Sequence, residues 1–225
     1  MPQPALIFDL DGTLVDTAPD LLGATNAVLK SQGRLPVDPG TLRHMVGFGA
    51  RSLIEQAMAV TGTPVPPSEL PALVEIFLAH YRAHIADESV PFPGVVETLQ
   101  QFRDEGERLA VLTNKPQEMA DLLLHALKLD GFFGVIYGAG RMSYVKPDAR
   151  IFHDVVRDLG GEPGIMIGDS ITDVATARAA KAPVILVSYG YTPHPAHTLG
   201  GDAVTDNFAE IPRLVRSLGA KGGTS

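Results

Sequence analysis

A chain of 225 residues suffices for one large domain or two small ones, and 45% hydrophobic with 20% charged residues is the balance of a soluble globular fold. The net charge of −8 argues against a nucleic-acid or anionic-membrane surface, and the lack of cysteine excludes disulfides and cysteine-ligated metals. No apolar run is long enough to span a bilayer, and the N-terminus lacks a basic region followed by an apolar stretch and a small-residue cleavage site, so a cytoplasmic enzyme is expected.

Ala5-Leu6-Ile7-Phe8 reads as a buried strand, and Asp9-Leu10-Asp11-Gly12-Thr13 follows it directly. Side chains alternate across a strand, so two acids at this spacing serve one site only if the second has left the strand; Gly12 supplies that bend. Open α/β sheets bind ligands at the carboxyl ends of their strands, where one acid can attack and the other can move a proton. The plain alternative is an acidic Asp-Gly turn.

About ninety residues then separate Thr17 from Arg108, and most read as helix: 19–32, 41–46, 50–61, 68–86 and 94–105. Leu70, Leu73, Val74, Phe77 and Leu78 recur at helical spacing, while Pro36, Gly47, Gly49, Gly62 and a cluster of prolines at 64, 66 and 67 punctuate the region. A crossover helix needs far fewer residues, so 17–88 is expected to be an inserted helical cap domain, with Pro91-Phe92-Pro93-Gly94 as its return hinge. Residues 1–16 and 89–220 form the core, and 221–225 a frayed tail.

The apolar runs at 109–112, 135–137, 165–167 and 184–187 alternate with helical patterns at 116–128, 148–159 and 171–180, the signature of a doubly wound parallel α/β sheet. Thr113-Asn114-Lys115-Pro116 ends the second of the core strands; its hydroxyl and amide can hold phosphate oxygens, or can simply cap the helix that follows. Lys146, before Pro147, reads either as a solvated lysine or as a fixed cation offsetting clustered carboxylates and a phosphoryl group. Gly168-Asp169-Ser170-Ile171-Thr172-Asp173 again delivers acids at a strand end. Asp169 and Asp173 lie one helical turn apart, and Asp9, Asp11 and Asp169 suit the oxygen preference of magnesium, whereas Asp169 or Ser170 could be a helix N-cap.

Asp-x-Asp-Gly-Thr, Thr-Asn, Lys-Pro and Gly-Asp-Ser-x-x-Asp, in this order, resemble the motifs of the haloacid dehalogenase-like superfamily, and the resemblance covers the whole chain. It implies a Rossmann-like parallel core with a helical cap inserted after the first strand. By that resemblance Asp9 is the nucleophile that becomes an aspartyl-phosphate, and Asp11 protonates the leaving oxygen and then activates water. Thr113 binds the phosphoryl group and Lys146 balances charge. Mg²⁺ is held by the Asp9 side chain, the Asp11 carbonyl and Asp169, while Asp173, next to Ser170, helps to position Lys146 and metal-bound water. An aspartate at position 11 argues for phosphoryl chemistry rather than dehalogenation.

The segments around Asp16-Thr17-Ala18-Pro19-Asp20, Val46-Gly47-Phe48-Gly49 and Gly190-Tyr191-Thr192-Pro193 resemble those of the phosphoglycolate phosphatases. They imply a small phosphorylated metabolite as substrate, with Thr113, Asn114, Lys115, Gly47, Gly49 and Arg51 around it and Arg43 a further candidate in the cap; sugar phosphates, amino-sugar phosphates and pyrophosphate are alternatives. A phosphoglucomutase-like isomerase is disfavoured because 17–24 has no histidine, and a phosphonoacetaldehyde hydrolase because Lys30 is the only cap lysine. A catalytically silent binding protein is disfavoured by the intact catalytic positions. No nucleic-acid or membrane partner is expected, and the chain is read as a monomer or homodimer.

Overall fold

The computed structural model describes residues 4–160 and 163–221. In chain order the elements are β1 (Ala5–Phe8), β2 (Val15–Asp16), α1 (Ala18–Ser31), α2 (Pro39–Arg43), α3 (Ala50–Val60), α4 (Leu70–Ala83) and β3 (Val90–Pro91). There follow α5 (Val95–Asp104), β4 (Arg108–Pro116), α6 (Gln117–Ala126), β5 (Val135–Ala139), α7 (Ala149–Asp158), β6 (Gly164–Gly168), α8 (Ile171–Ala179), β7 (Val184–Val187), β8 (Ala203–Thr205) and α9 (Ile211–Lys221).

Six strands form one parallel sheet in the order β5-β4-β1-β6-β7-β8, with β1 pairing β4 on one side and β6 on the other. β1, β6 and β7 are buried along their whole length, and β4 from Leu109 to Thr113, because both faces are covered. Leu6 and Phe8 of β1 enter one core with Leu109, Val111, Ile165 and Ile167; Ala5 and Ile7 enter the opposite core with Ala110, Leu112 and Met166. Alternation across the pleat therefore splits each run between two buried layers. The covering helices show the complementary stripe. In α7, Ile151, Phe152, Val155 and Val156 are buried while Arg150, His153 and Arg157 face water, and the Asp148 carboxylate accepts from Arg150 N at the N-cap.

Between β2 and β3, helices α1 to α4 gather around a cluster of their own that includes Leu21, Val28, Leu42, Ile54, Leu73 and Phe77. The chain leaves and re-enters the sheet through β2 and β3, which pair antiparallel with Val15 opposite Pro91 and Asp16 opposite Val90. Asp20, in the first turn of α1, is buried; it accepts hydrogen bonds from Glu88 N, Ser89 N and Ser89 Oγ, tying the outgoing segment to the returning one.

Two core elements lie beyond the sequence expectation, β8 and α9. β8 has three residues between glycine- and aspartate-rich turns, too short for a pattern. α9 does carry one, with Ile211, Leu214, Val215 and Leu218 on the sheet side. Of the expected frayed tail, Lys221 closes α9 and 222–225 lie outside the described residues.

Candidate active site

The carboxyl ends of β1, β4 and β6 converge. After Phe8 the chain turns tightly: Leu14 N and Val15 N both donate to Leu10 O, Gly12 N donates to Val15 O, and Gly12 has φ of +81°. That left-handed conformation suits glycine, and a Cβ there would stand 2.5 Å from Asp169 Oδ2, so no side chain fits. The turn leaves Asp9 at the strand tip and Asp11 beyond it, both lining one cleft.

Asp9 is buried. Its Oδ1 accepts from Leu10 N at 2.7 Å, and its Oδ2 lies 3.0 Å from Lys146 Nζ. Lys146 Nζ also lies 2.7 Å from Asp173 Oδ1. Asp173 is fully enclosed, and its other oxygen accepts from Asp169 N, Ser170 N and Ser170 Oγ. Ser170 reciprocates by accepting from Asp173 N, so the pair forms a capping box on α8. Ser170, not Asp169, is thus the N-cap, while Asp169 is free of the helix. Asp169 takes hydrogen bonds from Tyr191 N at 2.7 Å and Thr13 Oγ1 at 3.2 Å. A Cβ on Gly190 would lie 2.3 Å from the Asp169 side chain, which fixes that wall of the site as bare backbone.

Oxygens of Asp9, Asp169 and Asp173 lie within 4.8 Å of one another, and all three residues are buried. Burial pushes the Asp9 carboxyl up to about 7 against the opposing pull of Lys146, with Asp173 adding to the rise. Burial, then Asp173 and Asp9, holds Asp169 well above the usual carboxylate range. Three carboxylates facing one ammonium are short of positive charge, and an all-oxygen donor set of this kind fits a hard divalent cation. Asp173 already spends both oxygens on Lys146 and the α8 N-terminus, which leaves Asp9 and Asp169 as the side chains to hold such an ion.

Asp11 Oδ1 accepts from Thr17 Oγ1 at 2.7 Å and from Lys115 Nζ at 2.8 Å. Lys115 is buried, and its ammonium lies 4.5 Å from the ring centroid of Tyr81 on α4. Burial opposes the Lys115 charge, but Asp11, with Tyr81 adding to it, holds the ammonium above the ordinary lysine value. Burial pushes the Tyr81 phenol up to about 12 in spite of Lys115. The Tyr81 hydroxyl makes no hydrogen bond of ordinary geometry among the described residues.

Thr113 is buried in the same cleft and accepts from Lys115 N. Asn114 donates through Nδ2 to Gly47 O and Lys146 O, joining the α2–α3 loop to the core, and its buried Oδ1 has no partner among the described residues. Neither residue caps α6, whose N-cap position is Pro116 with no side-chain hydrogen bond. Gly47 and Gly49 line the cleft beside Val46, Ala50 and Leu53. Arg51 does not join them: it is exposed and absent from the lining. Ala50 takes the inward side of the first turn of α3, and Arg51 points about 100° further round the axis. Arg43 is likewise engaged elsewhere, paired with Asp16 at 3.0 Å and stacked over the Tyr191 ring.

Tyr191 escaped sequence reasoning as a site residue, although its segment had been marked by resemblance. Its hydroxyl accepts from Thr17 N and Ala18 N and bonds Asp16, while its backbone holds Asp169. No periodic signal marks it, because the partners of its hydroxyl lie more than 170 residues away.

Residues 6–187 match the family described as haloacid dehalogenase-like hydrolase. The chain belongs to the haloacid dehalogenase-like hydrolases. It is 46% identical over 215 residues to a phosphoglycolate phosphatase of Caulobacter vibrioides, covering 95% of this chain and 91% of the relative. A phosphoglycolate phosphatase of Agrobacterium fabrum is 42% identical over 99% of this chain and 97% of its own length. Among solved structures, a predicted phosphoglycolate phosphatase from Haemophilus somnus 129PT superposes with a TM-score of 0.89 at 28% identity, covering 94% of this chain and 97% of that one. This haloacid dehalogenase-like hydrolase is thus an enzyme, a phosphoric monoester hydrolase like those relatives. No helix among its described residues is long and apolar enough to cross a membrane.

Proposed function

We propose that this chain is a magnesium-dependent phosphatase acting on 2-phosphoglycolate through an aspartyl-phosphate at Asp9. The observation that carries the chemistry is the pair of carboxylates after β1 in one cleft, the first against Lys146 and the second held apart by Thr17 and Lys115. The choice of ester rests on the curated relatives, whose names share that substrate.

In this reading Asp9 attacks phosphorus while Asp11 gives a proton to the departing alcohol oxygen; Asp11 then takes a proton from the water that cleaves the acyl phosphate. A phosphate dianion repels a carboxylate nucleophile, and Lys146, held by Asp173, offsets that repulsion. Thr113 has a hydroxyl hydrogen free to donate to a phosphoryl oxygen. The Asp9 side chain, the Asp11 carbonyl and Asp169 would hold Mg²⁺, which supplies charge neutralisation on the phosphoryl oxygens. Residues 17–88 act as a cap that closes over the substrate about the β2–β3 ribbon and excludes water.

A phosphate-release screen over 2-phosphoglycolate, glucose phosphates, amino-sugar phosphates and pyrophosphate, ranked by kcat/KM, tests the reading. A clear lead for 2-phosphoglycolate is expected. A higher rank for any other ester overturns the substrate, and no Mg²⁺-stimulated turnover of any ester overturns the activity.

A further inference from the structure

The substrate just proposed has a carboxylate that some cation must read, and neither cap arginine faces the cleft. Among the described residues lining it, Lys115 is the only cation. It is also buried, with its ammonium against Asp11 Oδ1 at 2.8 Å. Across the cleft from the core, Tyr81 lies against that ammonium, which acts on its oxygen, and among the described residues its buried hydroxyl donates to no acceptor. A buried donor without a partner is costly, and its neighbourhood is where a ligand acceptor would be welcome.

The covalent structure of 2-phosphoglycolate sets where its carboxylate must sit. A single methylene separates the ester oxygen from the carboxylate carbon. If Asp11 delivers a proton to the ester oxygen, the carboxylate lies beside Asp11, and the group already beside Asp11 is Lys115. We propose that Lys115 and Tyr81 form the subsite that reads the substrate carboxylate, the ammonium exchanging the Asp11 carboxylate for that of the substrate while the Tyr81 hydroxyl donates to its second oxygen. Leu53, Phe77, Leu78 and Met119 of the same lining are apolar, so among the lining side chains the positive charge that draws an anion is that of Lys115. The subsite joins a core residue to a cap residue, which makes carboxylate recognition depend on both parts of the chain.

This inference rests on the phosphoglycolate reading, and the test separates the two. kcat/KM is measured for 2-phosphoglycolate and for ethyl phosphate, an ester of the same length without the carboxylate, in the wild type, Lys115→Met, Lys115→Gln and Tyr81→Phe. Any effect of Lys115 through Asp11 alone acts on both esters and cancels in their ratio. The ratio is expected to fall about 10- to 100-fold in the two lysine variants and in Tyr81→Phe, the worth of a hydrogen bond to a charged group. Equal losses on both esters, or an unchanged ratio, overturn the subsite. Tyr81→Phe removes a hydroxyl that donates to no acceptor among the described residues, and any loss of its pull on Lys115 that acts through Asp11 cancels in the ratio, so its ratio decides even if a lysine variant does not fold. A wild type that does not favour 2-phosphoglycolate over ethyl phosphate overturns the phosphoglycolate reading itself, whereas a wild type that favours it and variants that keep the preference overturn only the subsite.

Discussion

Asp173→Asn tests the architecture of the site without touching the nucleophile. Asp173 is fully buried; one oxygen faces Lys146 Nζ at 2.7 Å, and the other accepts from Ser170 Oγ at 2.7 Å, Ser170 N at 3.0 Å and Asp169 N at 3.2 Å. An amide has one acceptor oxygen, so its NH₂ must face either the lysine or the α8 donors, and donor then meets donor. Lys146 keeps Asp9 at 3.0 Å, so the cost is that of the buried donors left without an acceptor, about 1–3 kcal/mol. For a chain of this length each kcal/mol moves the midpoint by about 2–4 °C, so a loss of roughly 2–12 °C is expected. Thermal unfolding followed by circular dichroism reads it, with Asp148→Asn as the comparison: Asp148 is a solvent-facing N-cap paired with Arg150, asparagine caps equally well, and its midpoint should barely move. Turnover by Asp173→Asn should fall as well, because Lys146 loses its shorter anchor. A midpoint within about 2 °C of wild type would refute the claim that Asp173 organises Lys146 and the start of α8.

Asp9→Asn keeps an acceptor for Leu10 N but loses the attacking charge, so phosphate release should disappear while the circular dichroism spectrum stays; substantial residual turnover excludes covalent catalysis at this residue. Adding Mg²⁺ to chelated protein should raise the melting midpoint, by about 5–10 °C at a hundredfold excess over its dissociation constant, because the acidic cluster lacks positive charge; a flat midpoint removes the ion from these residues. Asp11→Asn mixed with acetyl phosphate should accumulate a phosphorylated protein visible by mass spectrometry, since an activated leaving group needs no proton but hydrolysis still needs a base; an adduct as short-lived as that of the wild type means that another group serves as the base.

The residues of the site were legible because strand ends concentrate chemistry into short motifs. Asp9 and Asp11 follow β1, Thr113 follows the apolar run of β4, and Asp169 follows β6. The placement of Arg43 and Arg51 away from the cleft was not legible. Direction on a helix or strand depends on phase, and a one-residue difference separates inward Ala50 from outward Arg51. Lys115 was placed with the substrate, but its contact with Asp11 spans 104 residues and no local pattern announces it. Tyr81 is not among the residues the sequence singles out; it extends the buried stripe of α4, stacked on Phe77. Its hydroxyl matters only because β4 brings a lysine against it. β8 was missed since three residues carry too little pattern to stand out from the turns that bound them.

Tyr191 belongs to two places at once. Its amide fixes Asp169 from above, and its phenol gathers Asp16, Thr17 and Ala18 where the chain crosses from β2 into α1. A rigid ring thus spans an acidic strand end and the pivot of the helical insert. Free-energy linkage between two such points runs equally in both directions. Whatever ionic occupancy of Asp169 does to the preferred angle of the pivot, the pivot angle does to the affinity of Asp169 for its ion, by the same factor. If the helices close and Asp169 holds an ion, as proposed above, a ligand that draws the helices down would also retune the electrostatic trap beneath them, with no separate messenger between the two.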